Sequence, residues 1–370
     1  MDSPRRIKSA FSTVLDQPPS CIEFSPVATE FFVVGTYCLE EQPERDGGAG
    51  DECSRTDEET HAPQSRSGCL ALFNIADDGL QAIKTQVLPT PYAVLDLHFS
   101  PHSPATFAIA TSTGAVSLYT LNASIPSPAI AHRHTSKFFS PSILVLALAF
   151  HPSDPSLIAV SLSTGSLALT NPSTNSVLHT LPAHALEAWT LAFSSVAENL
   201  YSGGDDCSLT RYHLGPGGQD LPTKLWSDRR SHTAGVTAIL PFPLDEQILL
   251  TGSYDEFVRI YDCGNRRVLA EKKVAEGGGV WRLRLISSYG TDRSRCLVLA
   301  SCMHTGTRLL EVVREGGQKR VWEIRVLGAF EEHQSMNYAS DGKCDGGGRG
   351  LVVVSTSFYD RLLCLWRFEP

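Results

Sequence analysis

Apolar and polar positions along this chain fall into short runs, and the runs recur as one unit. An apolar segment ends in Phe or Leu with Ser-Pro or a similar pair. A second apolar segment follows, then a tight turn, then an alternating segment. Residues 94–101, 107–114 and 115–119 make one copy; 145–152, 157–165 and 166–170 make the next. Two more lie at 189–194, 199–206 and 208–212, and at 236–241, 248–255 and 257–261. Looser copies occupy 21–26 with 68–73, then 280–285, 296–306 and 307–311, and finally 335–339, 351–360 and 362–366. The residues anchoring the last segment of each copy are Phe73, Tyr119, Thr170, Tyr212, Tyr261, Glu311 and Trp366, spaced by 46, 51, 42, 49, 50 and 55. A four-stranded propeller blade repeats every ~40–45 residues, so each copy fits one blade with modest insertions.

Such a unit is a small antiparallel meander. Alone it cannot bury both faces; stacked radially, each sheet covers its neighbour. The pattern therefore predicts an all-β, seven-bladed β-propeller filling residues 1–370 as a single domain. Four residues follow Trp366, too few for another strand. The segment 10–15 has no other place and is expected to supply the outer strand of the last blade.

Residues 40–67 interrupt the first copy with acidic and Gly-rich runs and no aromatic residue. Such composition does not offset the entropy of ordering, and a disordered insertion is expected. Residues 341–350 read as a shorter Gly-rich loop of the same kind. The chain carries 40 acidic and 31 basic residues, a net charge of −9. That balance argues against a nucleic-acid partner and suits a cationic one. No two of the ten cysteines are spaced as CxxC, and several sit in apolar runs, as does Cys364; no metal site is expected. No apolar stretch approaches 18 residues and no signal-peptide pattern follows Arg5, Arg6 and Lys8. A monomer in the reducing cytoplasm, with no membrane contact and no cofactor, is the simplest reading.

Asp206, Asp255 and Asp360 each lie six residues before a blade anchor, with His184, His232 and His333 upstream. Repeat placement makes these three hydrogen-bonded Asp–His pairs that orient turns, rather than three catalytic dyads. The sixth copy has Thr305 in the turn slot, leaving His304 without a repeat-level partner. His304 can be a packed turn residue or a general base near neutral pH. On the same face the repeat gathers Glu187, Trp189, Asp205, Tyr254, Glu256, Trp281, Arg282, Phe358 and Tyr359. Aromatic rings beside carboxylates suit a cation, although packing between blades would use the same rings.

No GxSxG elbow, GxxxxGK[ST] or GxGxxG loop occurs, and Gly277–Gly279 reads as a flexible turn before a strand. Six segments, however, form an ordered set: 200–206, 232–237, 250–256, 277–283, 302–306 and 357–360. Together they resemble the WD-repeat methylesterases that act on diphthine methyl ester, most strongly over residues 187–366. The usual Trp-Asp positions depart from the repeat, reading Tyr261-Asp262 and Leu365-Trp366-Arg367. The resemblance implies hydrolysis of a methyl ester on methylated diphthine, the modified histidine of translation elongation factor 2, in diphthamide biosynthesis. The substrate would then carry a trimethylammonium group and an ester. In that frame Glu187, Trp189, Tyr254, Glu256, Trp281 and Tyr359 are candidates for holding the substrate. His304 is the candidate base, acting on water, Cys302 or Ser253, and Arg282 the candidate oxyanion donor. The competing reading is a non-catalytic adaptor that binds a protein on the same face.

Overall fold

In the second strand of five repeats every side chain is buried: Phe31–Thr36, Ile158–Leu162, Asn199–Gly204, Ile248–Ser253 and Leu351–Thr356. A strand packed on both faces reads as a continuous apolar run. Outermost strands, with one face in water, alternate instead, as Thr223–Asp228 and Ser176–Pro182 do. This gradient from apolar to alternating is what a ring of sheets imprints on a sequence.

The computed structural model describes residues 3–39, 65–76, 79–124, 127–215, 221–243, 245–274, 276–290, 294–315, 321–345 and 350–369. Among these, regular structure is β-strand apart from a 3-10 turn at Met303–Thr305, and the strands form a seven-bladed β-propeller of the WD-repeat type. From the channel outward, blade 1 is Pro19–Phe24, Phe31–Thr36, Arg66–Ile75 and Ala82–Thr90. Blade 2 is Val94–Phe99, Thr106–Thr111, Ala115–Asn122 and Ala129–Lys137. Blade 3 is Val145–Phe150, Ile158–Leu162, Ser166–Asn171 and Ser176–Pro182. Blade 4 is Ala188–Phe193, Asn199–Gly204, Leu209–His213 and Thr223–Asp228. Blade 5 is Val236–Pro241, Ile248–Ser253, Phe257–Asp262 and Arg267–Lys273. Blade 6 is Val280–Tyr289, Arg295–Cys302, Gly306–Glu315 and Val321–Phe330. Blade 7 is Ala339–Cys344, Leu351–Thr356 and Leu362–Phe368, with Ser9–Val14 as its outermost strand.

Ser9–Val14 runs antiparallel to Leu362–Phe368, with Ser9 opposite Trp366 and Val14 opposite Leu362. Leu15 lies just past this strand, its N–H donating to the Arg361 carbonyl. Upstream, Arg5–Ile7 adds a short parallel strand to the outer edge of blade 6, Ile7 opposite Phe330. The Ile7 side chain enters the apolar layer between blades 6 and 7 with Phe330, Trp366 and Phe368. Among the described residues the buried apolar side chains form seven clusters, one in each gap between neighbouring blades.

Three sequence expectations are corrected. The innermost strand of blade 7 is Ala339–Cys344, not 335–339, so Asp341 belongs to a strand lining the channel rather than to a loop. Arg66 and Ser67 open a blade 1 strand and pair with Leu39 and Cys38, so residues 66 and 67 are ordered; the rest of the acidic insertion, from 40 to 64, lies outside the described residues. The innermost strands also carry a feature that the pattern does not reveal. In blades 1 to 6 one residue near the strand's start bulges out of register with the second strand: Ser20, Leu95, Leu146, Trp189, Thr237 and Trp281. A bulge re-aims its side chain. Ser20 Oγ donates across to Val94 O of the next blade at 2.5 Å, and the Thr237 hydroxyl donates to Val280 O likewise.

Deleting residues 1–16 removes both the closing strand and the parallel strand. The melting temperature is expected to fall by more than about 10 °C, whereas deleting only 1–7 should produce a smaller drop. Calorimetry or circular dichroism that finds 1–16 dispensable would overturn this account of closure.

Candidate functional site

The two tryptophans at bulge positions, Trp189 and Trp281, meet on the face where the chain enters the innermost strands. Their ring centroids lie 5.5 Å apart in an edge-to-face arrangement. Tyr254, from the turn between the second and third strands of blade 5, contacts both, at 6.5 Å from Trp189 and 5.9 Å from Trp281. The cluster continues through Tyr338, 5.0 Å from Trp281, to Phe358 and the exposed Tyr359. Tyr37 of blade 1 joins at Phe358. The aromatic surface thus crosses from blade 4 to blade 1. Tyr338 lies in the loop entering blade 7 and carries no repeat signal.

Glycines let the backbone close around Tyr254. A methyl group on Gly235 would fall 3.0 Å from Tyr254 Cδ2 and 2.9 Å from Asp205 Oδ1; one on Gly279 would fall 2.9 Å from Tyr254 Cα. Gly278 packs equally tightly against the Thr305 side chain. The 277–279 run therefore sits between Tyr254 and the turn bearing His304. Gly278 and Gly279 serve close approach, whereas Gly277, at a φ of 80° with nothing within 4 Å of a Cβ there, serves the turn.

Three carboxylates border the cluster. Asp205 Oδ1 accepts the Trp189 indole N–H at 3.0 Å. The Asp205 backbone N–H donates to Glu187 O, setting these acidic residues side by side. Glu256 is committed elsewhere: it pairs with Lys273 at 2.8 Å and accepts the Gly277 N–H at 2.7 Å. Burial, reinforced by Tyr338, Asp205 and Glu187, pushes the Tyr254 phenol above its ordinary range. The field around that ring is negative, as a cation would favour.

The candidate catalytic residues do not converge. Cys302 is fully buried between blades 5 and 6; its thiol donates to Ala300 O at 3.5 Å, and burial pushes its pKa up to about 12. A thiol so placed stays protonated and out of contact with a substrate. Ser253 is fully buried, donates to Ala234 O at 3.1 Å and accepts the Asp255 N–H, so its hydroxyl holds a turn. Arg282 points into the channel, where it binds the Asp96 carboxylate and Leu95 O. His304 alone of the four is exposed on the cluster's face, in the Met303–Thr305 turn.

Arg282 belongs to a closed set of charges inside the channel, which encloses about 490 Å³. Arg284 bonds Glu23 at 2.9 Å and Asp341 at 3.0 Å. His98 joins Glu23 at 2.8 Å and Asp96 at 3.3 Å. Burial opposes a charged imidazole there, but Asp96 and Glu23 outweigh it and raise the His98 pKa to about 10. Three acids meet three bases, leaving the set neutral. The commitment of Arg282 to Asp96 and Leu95 O is a structural reason to remove it from the oxyanion role. Among the described residues no His, Cys, Asp and Glu group is arranged to hold a metal.

The Asp–His pairs also differ from expectation. In blade 4, His184 Nδ1 meets Asp206 Oδ1 at 2.9 Å. In blades 5 and 7, Asp255 and Asp360 instead bind loop groups, accepting the N–H of Thr233 and of Gln334, each at 3.0 Å. His232 Nδ1 and His333 Nδ1 have no hydrogen-bond partner among the described residues. What the three histidines share is an Nε2 contact to a second-strand hydroxyl: Ser202 at 2.8 Å, Thr251 at 2.9 Å and Ser355 at 2.8 Å. The histidine thus pins the blade's entry loop to its second strand, while the aspartate shapes the turn.

Known proteins share the repeat, the sequence and the fold of this chain to different extents. The WD domain, G-beta repeat family matches residues 175–211 and 224–262, within blades 3 to 5. Over 95% of both chains, the sequence is 30% identical to the diphthine methyltransferase of Schizosaccharomyces pombe. It is 30% identical to the human protein of that name over 86% of this chain and 71% of the human one. The Saccharomyces cerevisiae protein of that name is 24% identical over 94% and 95%. Among solved structures, a chain of the mitotic checkpoint complex superposes with a TM-score of 0.66 at 14% identity, covering 100% of this chain and 98% of that one, a likeness of fold alone.

The buried histidines set a pH dependence. Burial lowers the pKa of His232 and of His333 from 6.5 to about 4. Between pH 6.5 and 4 the unfolded chain takes up protons that these folded histidines refuse, so stability falls with pH. The loss approaches about 3 kcal/mol per histidine at the acid limit. Urea unfolding followed from pH 6.5 to 4.5 should show stability declining as pH falls; a flat profile over that range would contradict the burial of neutral imidazoles.

Proposed function

This chain belongs to the family of WD-repeat proteins named diphthine methyltransferases, and from that membership we propose that it acts in diphthamide biosynthesis by hydrolysing the methyl ester of methylated diphthine on translation elongation factor 2. The observation that carries the reading is the joined Trp189–Tyr254–Trp281 cluster bordered by Asp205 and Glu187. Methylated diphthine carries a trimethylammonium group close to its ester. Aromatic faces with nearby carboxylates attract such a cation without demanding hydrogen bonds from it. Held there, the substrate presents its ester to the same face, where His304 is exposed on the turn packed against Gly278.

In this mechanism His304 accepts a proton from water as the water oxygen bonds to the ester carbonyl carbon. The tetrahedral intermediate collapses with loss of the methoxy group. That group takes the proton from the imidazolium and leaves as methanol, and the carboxylic acid left behind releases its remaining proton to solvent, giving a carboxylate for later amidation. Neither Cys302 nor Ser253 takes part, since both are buried in their strands.

The deciding assay incubates the purified chain with elongation factor 2 bearing the methylated diphthine. Release of methanol, with loss of one methylene in mass from the factor, is expected. Transfer of a methyl group from a donor such as S-adenosylmethionine without methanol would overturn hydrolysis in favour of the chemistry named for the relatives. Binding without any reaction would leave an adaptor. His304→Gln is expected to lower kcat by ~10²–10⁴-fold with folding intact, and Cys302→Ala to leave turnover per folded molecule unchanged. Full activity in His304→Gln would remove this histidine from the mechanism.

A further inference from the structure

The three rings of the cluster touch one another, at 5.5 to 6.5 Å between centroids. No cation fits between rings in contact, so a ligand must rest on their outer edge. The widest separation is between Trp189 and Tyr254, whose planes stand at 87°. Asp205 lies at that edge. Its Oδ1 and Tyr254 Cδ2 both pack closely against Gly235, which holds the carboxylate beside the Tyr254 ring. Glu187, whose carbonyl accepts the Asp205 N–H, adds a second carboxylate near enough to act on the Tyr254 phenol. Glu256, the other acidic candidate, is neutralised by Lys273.

We propose that Asp205 is the counter-ion of a quaternary-ammonium subsite on the Trp189–Tyr254 edge, and that its charge selects a cationic group over a neutral group of the same shape. The proposal rests on the reading of this face as substrate-binding, but not on ester hydrolysis. Asp205 acts in two ways. Its charge attracts the ligand directly. Its hydrogen bond from the indole N–H fixes the Trp189 plane and pushes electron density toward the ring, strengthening a cation–π contact. A trimethylammonium group offers no hydrogen-bond donor, so charge and ring electrons are the means by which a site can recognise it.

The test uses choline and its neutral isostere 3,3-dimethyl-1-butanol, each titrated into the full chain and followed by indole fluorescence. Choline is expected to bind at least about tenfold more tightly than the alcohol. Asp205→Asn keeps an oxygen for the indole N–H and removes only the charge. It should weaken choline about fivefold and leave the alcohol unchanged. Sodium chloride should weaken choline binding to the unaltered chain and not that of the alcohol, which supplies the charge test if Asp205→Asn does not fold. Equal binding of choline and the alcohol, no response to choline, or loss of neither charge nor salt sensitivity on replacing Asp205 would overturn the proposal. Choline selectivity without methanol release would leave Asp205 in place and sink the hydrolysis; methanol release without selectivity would do the reverse.

Discussion

A ring of seven sheets has a seam, and here the seam is the antiparallel pairing of Ser9–Val14 with Leu362–Phe368. Without it blade 7 would expose the edge of its third strand, a row of unpaired backbone groups open to other chains. The apolar layer between blades 7 and 1, which holds Leu15, Phe24, Val354, Leu363 and Leu365, would lose its cover. Arg5–Ile7 extends the same segment onto blade 6. One stretch of chain therefore ties two blades, and every gap in the ring is under the constraint that this stretch supplies.

The charges in the channel sit on the blades around that seam. Glu23, Asp96, His98, Arg282, Arg284 and Asp341 come from blades 1, 2, 6 and 7. The opposite wall, from blades 3 to 5, is mostly apolar, with Leu146, Leu148, Ala192 and Ala238. The three acids are buried while the three bases are half-buried toward the channel, so the pairs add little net stability, and removing a base would strand a buried carboxylate. The lattice is thus better at fixing register than at adding strength. Arg282 directly follows Trp281 in the chain, so the strand that presents the aromatic cluster is also the one held across the channel to Asp96.

The fold was legible because burial on both faces writes apolar runs at a regular spacing. The register of blade 7 was not. The 341–350 segment is rich in Gly and charge, and Asp341 reads as a loop residue until Arg284 is placed opposite it. The face holding Trp189, Tyr254 and Trp281 followed from repeat position alone. Their meeting did not, because it depends on bulges at Trp189 and Trp281 that leave no mark in the alternation. Arg282 looked available because its partner Asp96 is 186 positions away. Cys302 looked reactive because it stands beside His304 in sequence, yet it ends a strand and points inward while His304 turns outward.

The seam has a temporal side as well. During synthesis Ser9–Val14 leaves the ribosome at the start, and its partner strand appears some ~350 residues later. Throughout that interval the segment has no sheet to join. At the N-terminal synthesis rate of ~5–20 residues per second, the wait is tens of seconds. Its alternating partly exposed pattern, with Val14 facing water even in the finished ring, keeps it from being a strongly sticky strand during that time. The ring can therefore be fastened only once residues 362–368 are made, and a nascent chain stalled before residue 362 would lack the strand that Ser9–Val14 pairs with.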